Sequence, residues 1–503
     1  MPWVQVLAIT EVLVLMQLQI IVAIKMVEIA LIQKEHVTVL TTRRHVETSQ
    51  KSLCPAELNF PELSYLLIPI MNLRQSHYNS VIHVAEAHTI IFNALSGCFI
   101  IVRNKLLPKE WNLNSIQIED SLLFSQMVKG GMIVEDEVDE IELVRTKIAE
   151  SENNANQYIL HINPTVDCNF RCWYCYENHK VDSRMSKDVL ESIKAFIIHK
   201  VEEGIKVFHL DFFGGEPLLE FDNVVKPLIL TTNSHCKNNG VKLSIHFTTN
   251  GSLLNDRIIE FLANYECTFQ ITLDGGRDTH NKTRFFKGGK GSYDLILENI
   301  QKLLSQKLFV QLRINYTSSN IDSVRDMNEF LSNISDSCKK YINIDFQRVW
   351  QDKKQVEDNT EKKAEGLREG LIQLGMQVVP SYLPDNVTNP CYGDKINHLL
   401  INYDGKVFGC TARDFNEDNS IGCLNQDGTV SYKETKILQR RAAKFSKKIC
   451  HTCRIAPLCG GGCRQVAVDT LSYPGCSMGY SEEDIDKMIL QIFRKNYLNQ
   501  KTD

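Results

Sequence analysis

Apolar and polar positions alternate between two periods over much of this chain. Short apolar runs with strand character fall at residues 158–163, 207–213, 243–247, 269–273, 309–316 and 342–349. Between them lie stretches with helical spacing. Over 187–201 the apolar stripe is Val189, Ile193, Phe196 and Ile197, with Ser186 placed to cap the helix. Further helices are predicted near 221–233, after a cap at Asn255 (Ile258, Ile259 and Leu262 facing in), and over 293–304 and 321–331. Repeated strand–helix units predict a parallel sheet with right-handed crossovers, an α/β fold.

The pattern upstream is different. Short strands are predicted at 80–84, 89–93 and 98–102, the last two separated by a turn at Ser96-Gly97. A helix at 121–129, Gly130-Gly131 and an apolar 132–134 follow. The acidic run 135–142 opens another helix, because carboxylates favour a helix N-terminus. Residues 71–150 thus form a small α+β unit, and 150–156 is its polar linker. In residues 1–70 the apolar run 12–24 is interrupted by Gln17 and Gln19 and bracketed by Glu11 and Lys25. A span needs about 20 apolar residues, so this run is short for one. Two readings stand: translation starts at Met71 and the upstream stretch is an artefact of the reading frame, or the stretch is an amphipathic or anchoring segment. The intact mass of natively produced protein distinguishes them.

A chain of 503 residues exceeds one core. A net charge of −5 implies no large nucleic-acid footprint. Sixteen cysteines could suggest a secreted disulfide scaffold, but such scaffolds are short. No secretory signal with a basic start is visible, and a reducing cytoplasm is the expectation, with no membrane partner. Cys54, Cys98, Cys236, Cys267, Cys338 and Cys423 are scattered and read as mostly buried thiols. The other ten form two groups.

The first group is Cys168, Cys172 and Cys175, spaced Cys-x3-Cys-x2-Cys. Three thiolates this close can hold three irons of a [4Fe–4S] cube, leaving the fourth open to a small chelating molecule. Zinc is the alternative, with His179 as a fourth ligand, although structural zinc favours two close pairs. Downstream, in order, come Gly214-Gly215-Glu216-Pro217, Thr249-Asn250-Gly251 and Ile271-Thr272-Leu273-Asp274-Gly275, each after an apolar run, with His280 and Arg284 behind. Together these motifs resemble the radical S-adenosylmethionine (radical SAM) family over residues 157–350.

The resemblance implies a partial (β/α)6 barrel, here over 157–380. Cys168, Cys172 and Cys175 would hold the catalytic [4Fe–4S] cluster, whose open iron binds S-adenosylmethionine. Tyr174 would pack beside cluster and adenine. Gly214 and Gly215 would admit the methionyl amine, and Glu216 would offset its charge or serve a purely structural role. Asn250, Thr272 and Asp274 would contact ribose or carboxylate, and Arg313 would pair with the carboxylate or form an ordinary barrel ion pair. His280 and Arg284 read as loop-ordering residues.

The second group is Cys391, Gly405-x4-Cys410, Cys450-x2-Cys453-x5-Cys459-x3-Cys463 and Cys476. It resembles the SPASM extension of radical enzymes that act on peptides and proteins, here over 388–480 with a C-terminal helix over 481–503. By that resemblance two auxiliary [4Fe–4S] clusters are expected. One takes Cys450, Cys453, Cys459 and Cys476; the other takes Cys391, Cys410 and Cys463, with Cys423 or an outside ligand as fourth. Paired Cys-x2-Cys also suits zinc.

Sulfatase-maturing members carry an Asp directly after the Gly-x4-Cys cysteine, where this chain has Thr411, with Asp414 the nearest carboxylate. The resemblance therefore implies a maturase that modifies or cross-links a ribosomally made peptide, with residues 71–150 holding a leader. An electron donor such as flavodoxin or ferredoxin is implied too. Three alternatives remain: a sulfatase-maturase, a multi-cluster electron carrier and a zinc-bearing scaffold.

Overall fold

The computed structural model describes residues 38–40, 72–85, 88–104, 107, 112–113, 116, 121–352, 359–380 and 383–497. The run 12–24, Cys54 and Met71 lie outside the described residues. Among the described residues no helix is long and apolar enough to cross a membrane.

The chain divides into two compact units. One holds the described residues before Glu152, with Leu383–Pro390 and those from Ala442 onward; the other holds Glu152–Tyr382 and Cys391–Arg441. This partition cuts across the expected boundaries. The cysteine-rich region 388–480 is divided, and its second half joins the N-terminal unit and the C-terminal helix.

In the first unit β1 (Thr38–Leu40), β3 (Asn79–Ala85), β4 (His88–Asn93) and β5 (Phe99–Arg103) form an antiparallel sheet in the order β1-β5-β4-β3. A separate pair joins β2 (Leu73–Gln75) to β6 (Ile133–Glu135). The C-terminal helix Glu482–Tyr497 lays Ile485, Ile489 and Phe493 against that sheet, with the Phe493 ring 5.4 Å from Phe99. This contact explains the regrouping: the helix's apolar stripe needs a partner, and the sheet's inner face supplies it.

The second unit is built on β7 (Gln157–Ile162), β8 (Val207–Phe212), β9 (Lys242–Thr249), β10 (Cys267–Thr272), β11 (Phe309–Tyr316) and β12 (Ile342–Arg348). These six run parallel in sequence order, as the strand–helix alternation predicts. The sheet continues through β13 (Gln377–Val378) at one end. At the other it continues through β14 (His398–Ile401), β15 (Lys406–Phe408), β16 (Gly422–Leu424) and β17 (Val430–Tyr432). β14 pairs in parallel with β7, so the first part of the cysteine-rich region extends the barrel sheet.

The predicted caps are present. Ser186 Oγ accepts from Val189 N at 3.2 Å and Asn255 Oδ1 from Ile258 N at 3.1 Å, contacts worth about 1 kcal/mol each. The helix expected near 221–233 starts as a 3-10 turn at Pro217–Glu220 and a π turn at Phe221–Val225, before the α-helix Lys226–Asn238. The segment 321–331 is a 3-10 turn leading into a short helix.

Strand alternation sorts the two faces. Leu160, Ile162, Leu210, Phe212, Ile245 and Phe247 pack in the core. The intervening positions, among them His161, Asp211, His246, Gln270, Arg313 and Asp345, are polar and form the other face. Parallel strands buried against packing layers on both faces would be apolar on both sides, so this one-sided polarity marks a face built for something other than packing.

Candidate active site

The strand ends carry the site. β7 runs into the loop with Cys168, Cys172 and Cys175, which are buried, part-buried and exposed respectively. Burial pushes the Cys168 thiol up to about 12 and Cys175 to about 11. Thiolates there need a cation against them, as iron would provide, and the three sulfurs feel one another electrostatically. Among the described residues no group of three or more His, Cys, Asp or Glu side chains is arranged to hold a metal ion. His179, the considered fourth zinc ligand, sits with Nε2 3.4 Å from Cys175 Sγ.

Gly214 and Gly215 follow β8 and lie beside the start of the cysteine loop. Gly215 N donates to Thr165 O at 3.2 Å, and Glu216 N donates to Asp167 O at 2.9 Å. A Cβ on Gly214 would fall 2.3 Å from Thr165 O, and one on Gly215 would fall 2.1 Å from Asp167 O. The missing side chains are thus used by the chain itself, to bring the two strand ends together.

Glu216 is fully buried and its oxygens are well supplied. Oε1 accepts from Thr249 Oγ1 (2.7 Å) and Leu218 N (3.1 Å), and Oε2 accepts from Asn250 N (2.8 Å). Asn250 reaches onward, its Nδ2 donating to Asn169 Oδ1 at 2.7 Å and lying 3.8 Å from Cys168 Sγ.

Asp274 and Tyr174 share a very short hydrogen bond. Arg284 Nη1 and Asn315 Nδ2 donate to the same Tyr174 hydroxyl at 2.8 and 3.1 Å. Burial raises the Asp274 carboxyl to about 6, and the Arg284 guanidinium partly offsets that. Thr272 ends β10 opposite Arg313, whose Nε donates to Asn315 Oδ1 at 3.0 Å.

Arg284 is the residue the sequence reading undervalued. It was read as ordering a loop. Its buried guanidinium instead interacts with Cys168, Cys172, Cys175, Glu216, Asp274 and Tyr174, while its Nε has no partner. His280 does order a loop: its Nδ1 accepts from Asp274 N and its Nε2 meets Ser292 Oγ.

Glu177 was also missed. Both its oxygens are buried without a partner, and burial raises its carboxyl to about 8. The segment lies between the triplet and the Cys410 loop, with Asn178 Nδ2 donating to Asp414 Oδ1 at 2.8 Å.

A histidine network occupies the polar strand face. His161 Nε2 is 3.3 Å from Asp211 Oδ2, and its Nδ1 is 3.1 Å from His398 Nε2. Burial holds the Asp211 carboxyl above its usual range and the His161 ring below its own. His246 bonds Thr268 Oγ1 at 2.8 Å, and burial lowers it to about 4. An unfolded histidine titrates near 6.5. The unfolded chain therefore takes up this proton first as pH falls, and stability present above about pH 6.5 is lost toward pH 4. Melting curves between pH 7 and 4.5 are expected to fall more steeply for the native protein than for His246→Gln. Parallel curves would show that the ring is not held neutral.

In the other unit Cys450, Cys453, Cys459 and Cys476 form a mutually interacting group, with Cys459 buried and raised to about 12. Cys391 and Cys410 both act on Tyr392 in the barrel unit, whereas Cys463 belongs to the first unit. Cys98, Cys236 and Cys267 are buried thiols as expected, Cys338 is part-buried, and Cys423 is exposed on β16.

The family model described as the Radical SAM superfamily matches residues 162–331. This stretch carries a radical SAM domain, and the chain is an enzyme. Among known proteins it is similar to the radical SAM cyclopropyl synthase TigE of Paramaledivibacter caminithermalis, at 21% identity over 72% of this chain and 80% of that one. It is 30% identical to a cysteine-type anaerobic sulfatase-maturating enzyme of Clostridium novyi over 31% of this chain and 44% of that one. The solved structure of anSMEcpe with bound AdoMet shares the fold at TM-score 0.51 and 18% identity, covering 68% of this chain and 98% of that one.

Proposed function

We propose that this enzyme modifies or cross-links a ribosomally made peptide. Cys168, Cys172 and Cys175 would hold the catalytic cluster, and Cys450, Cys453, Cys459 and Cys476 an auxiliary one. When bound, the catalytic cluster and S-adenosylmethionine supply a one-electron reductive cleavage that generates a hydrogen-abstracting radical. The chain's residues do the rest. Arg284, Asp274 and Tyr174 fix the cofactor face of the loop, with Asn250, Thr272 and Arg313 at neighbouring strand ends. The polar strand face offers hydrogen bonds to an extended peptide backbone.

The observation that carries this reading is the cysteine triplet joined at one strand end to the buried Arg284–Tyr174–Asp274 group. The peptide class draws support from relatives named for sulfatase maturation and from a solved neighbour titled with a bound Cp18Cys peptide. The sulfatase-maturase alternative draws on the same names. Against it, Thr411 is buried and bonded to Tyr392, with no carboxylate at that position, and Asp414 is engaged by Asn178. We assign residues 71–150 a leader-recognition role, because β3 is a sheet edge with Val81 exposed.

The test is anaerobic. Reconstituted protein with dithionite and S-adenosylmethionine should release 5′-deoxyadenosine and contain iron and sulfide. Iron without 5′-deoxyadenosine would instead indicate an electron carrier; zinc without iron would indicate a scaffold.

A further inference from the structure

Reductive cleavage of S-adenosylmethionine consumes an electron that no side chain of this protein supplies. The donor must approach the loop holding the cluster, so the charge of the protein surface there selects the donor.

That surface is built from two segments. The first is the loop Cys168 to Arg171. The second is a hairpin closed by the Phe285–Gly291 bridge and laid across that loop. Arg171 N donates to Phe285 O at 3.0 Å and Lys287 N donates to Asn169 O at 2.9 Å. The Phe170 and Phe286 rings meet edge-on at 4.8 Å between centroids. Arg171 Nη1 donates to the carbonyls of Cys168 (2.8 Å) and Phe170 (2.6 Å), which fixes a cation on the backbone of the first cysteine. The hairpin tip, Lys287 to Lys290, is exposed, and no atom lies within 4 Å of a Cβ built on Gly288 or Gly289. Among the described residues nothing crowds these two glycines of the tip. His179, against Cys175 Sγ, lies within the fields of both Arg171 and Lys287.

Acidic groups here are few or engaged. Asp167 is paired with Lys287 at 2.8 Å, Glu177 is buried and Asp182 is exposed at the border. Lys290 pairs with no carboxylate among the described residues, and Lys180 lies 5.9 Å over the Tyr403 ring. The chain as a whole carries −5, so this cationic face opposes its net charge.

We propose that Arg171, Lys287 and Lys290, with Lys180 at the border, form the docking face for an acidic low-potential carrier of flavodoxin or ferredoxin type. The inference rests on the radical SAM reading above. The carrier loses one electron and the cluster gains it; no bond or proton changes hands in that transfer. Redox encounters of this kind bury little area, so charge sets their rate and affinity.

The probe is an oxidised, low-potential bacterial flavodoxin, with binding followed by calorimetry at low salt. Lys287→Glu/Lys290→Glu is expected to weaken binding by about tenfold or more, and Lys290→Glu alone by about threefold. Native binding should weaken as salt rises. Reduction of the cluster by reduced flavodoxin, followed by its visible absorbance, should slow in parallel, while reduction by dithionite matches the native protein. Flavodoxin binding and reduction that are unchanged in both variants would overturn the proposal, as would an absence of binding to the native protein. A native protein that binds flavodoxin yet gives no 5′-deoxyadenosine with dithionite would instead count against the radical SAM assignment.

Discussion

Cys172→Ala is expected to abolish 5′-deoxyadenosine formation, a loss of at least about 1,000-fold, and to lower iron by about four atoms per chain. The other two cysteines sit on either side of it in sequence, and burial raises its thiol, with the Arg284 charge opposing and the Asp274 charge adding to that effect. Loss of the central thiol leaves two ligands on one loop, too few to retain a cube whose open iron must still chelate S-adenosylmethionine. The alanine costs little in packing, because Cys172 is only part-buried at the edge of the core. Melting temperature should therefore change far less than activity. Cys338→Ser is the control, since that part-buried thiol belongs to neither cysteine group and donates to Leu304 O at 3.8 Å, a bond a serine hydroxyl can keep. Anaerobic turnover with dithionite, alongside iron and sulfide analysis, checks both variants. Product from Cys172→Ala at more than a few per cent of the native rate would remove these cysteines from the centre of the chemistry.

The barrel was legible in the sequence because its two periods are clean. The apolar positions of β8 and β9 alternate with polar ones, and Ser186 and Asn255 announce their helices. The triplet was legible because spacing alone restricts which metal group three thiols can hold. The regrouping of the first unit was not legible. The partners of Ile485, Ile489 and Phe493 are about 400 residues away in sequence, and no local signal names them. Arg284 was misjudged for a similar reason. A basic residue after a Gly-Gly turn looks like loop chemistry until the fold places its guanidinium beside three cysteines, a carboxylate and a tyrosine. Glu177 and the His161–Asp211 pair left a readable trace. Charged or polar residues recur at alternate strand positions, and a carboxylate lies two residues past the last cysteine. Neither signal says whether a partner waits on the other side, and for Glu177 none does among the described residues.

The second large effect lies at the Gly214–Gly215 pair. Gly215→Ala adds one methyl group to a strand end where the three nearest heavy atoms are Asp167 O, Asp167 C and Val166 O, all backbone, at 2.1, 2.5 and 2.7 Å. A flexible side chain could swing away from such a contact; a peptide unit anchored by Glu216 N donating to Asp167 O cannot, short of breaking that bond. The methyl must push β8 and the start of the cysteine loop apart. Overpacking of this kind costs about 3 kcal/mol or more when backbone has to move. The loss falls on the segment that spaces Cys168 from Glu216 and Asn250. Two readouts should therefore fall together in Gly215→Ala: the melting temperature, and the iron retained after reconstitution. Gly288→Ala, on the open hairpin tip, should change neither. If Gly215→Ala instead kept full iron and melted within a degree or two of the native protein while losing affinity for S-adenosylmethionine, the bare backbone would serve the cofactor's approach and not the closure of the two strand ends.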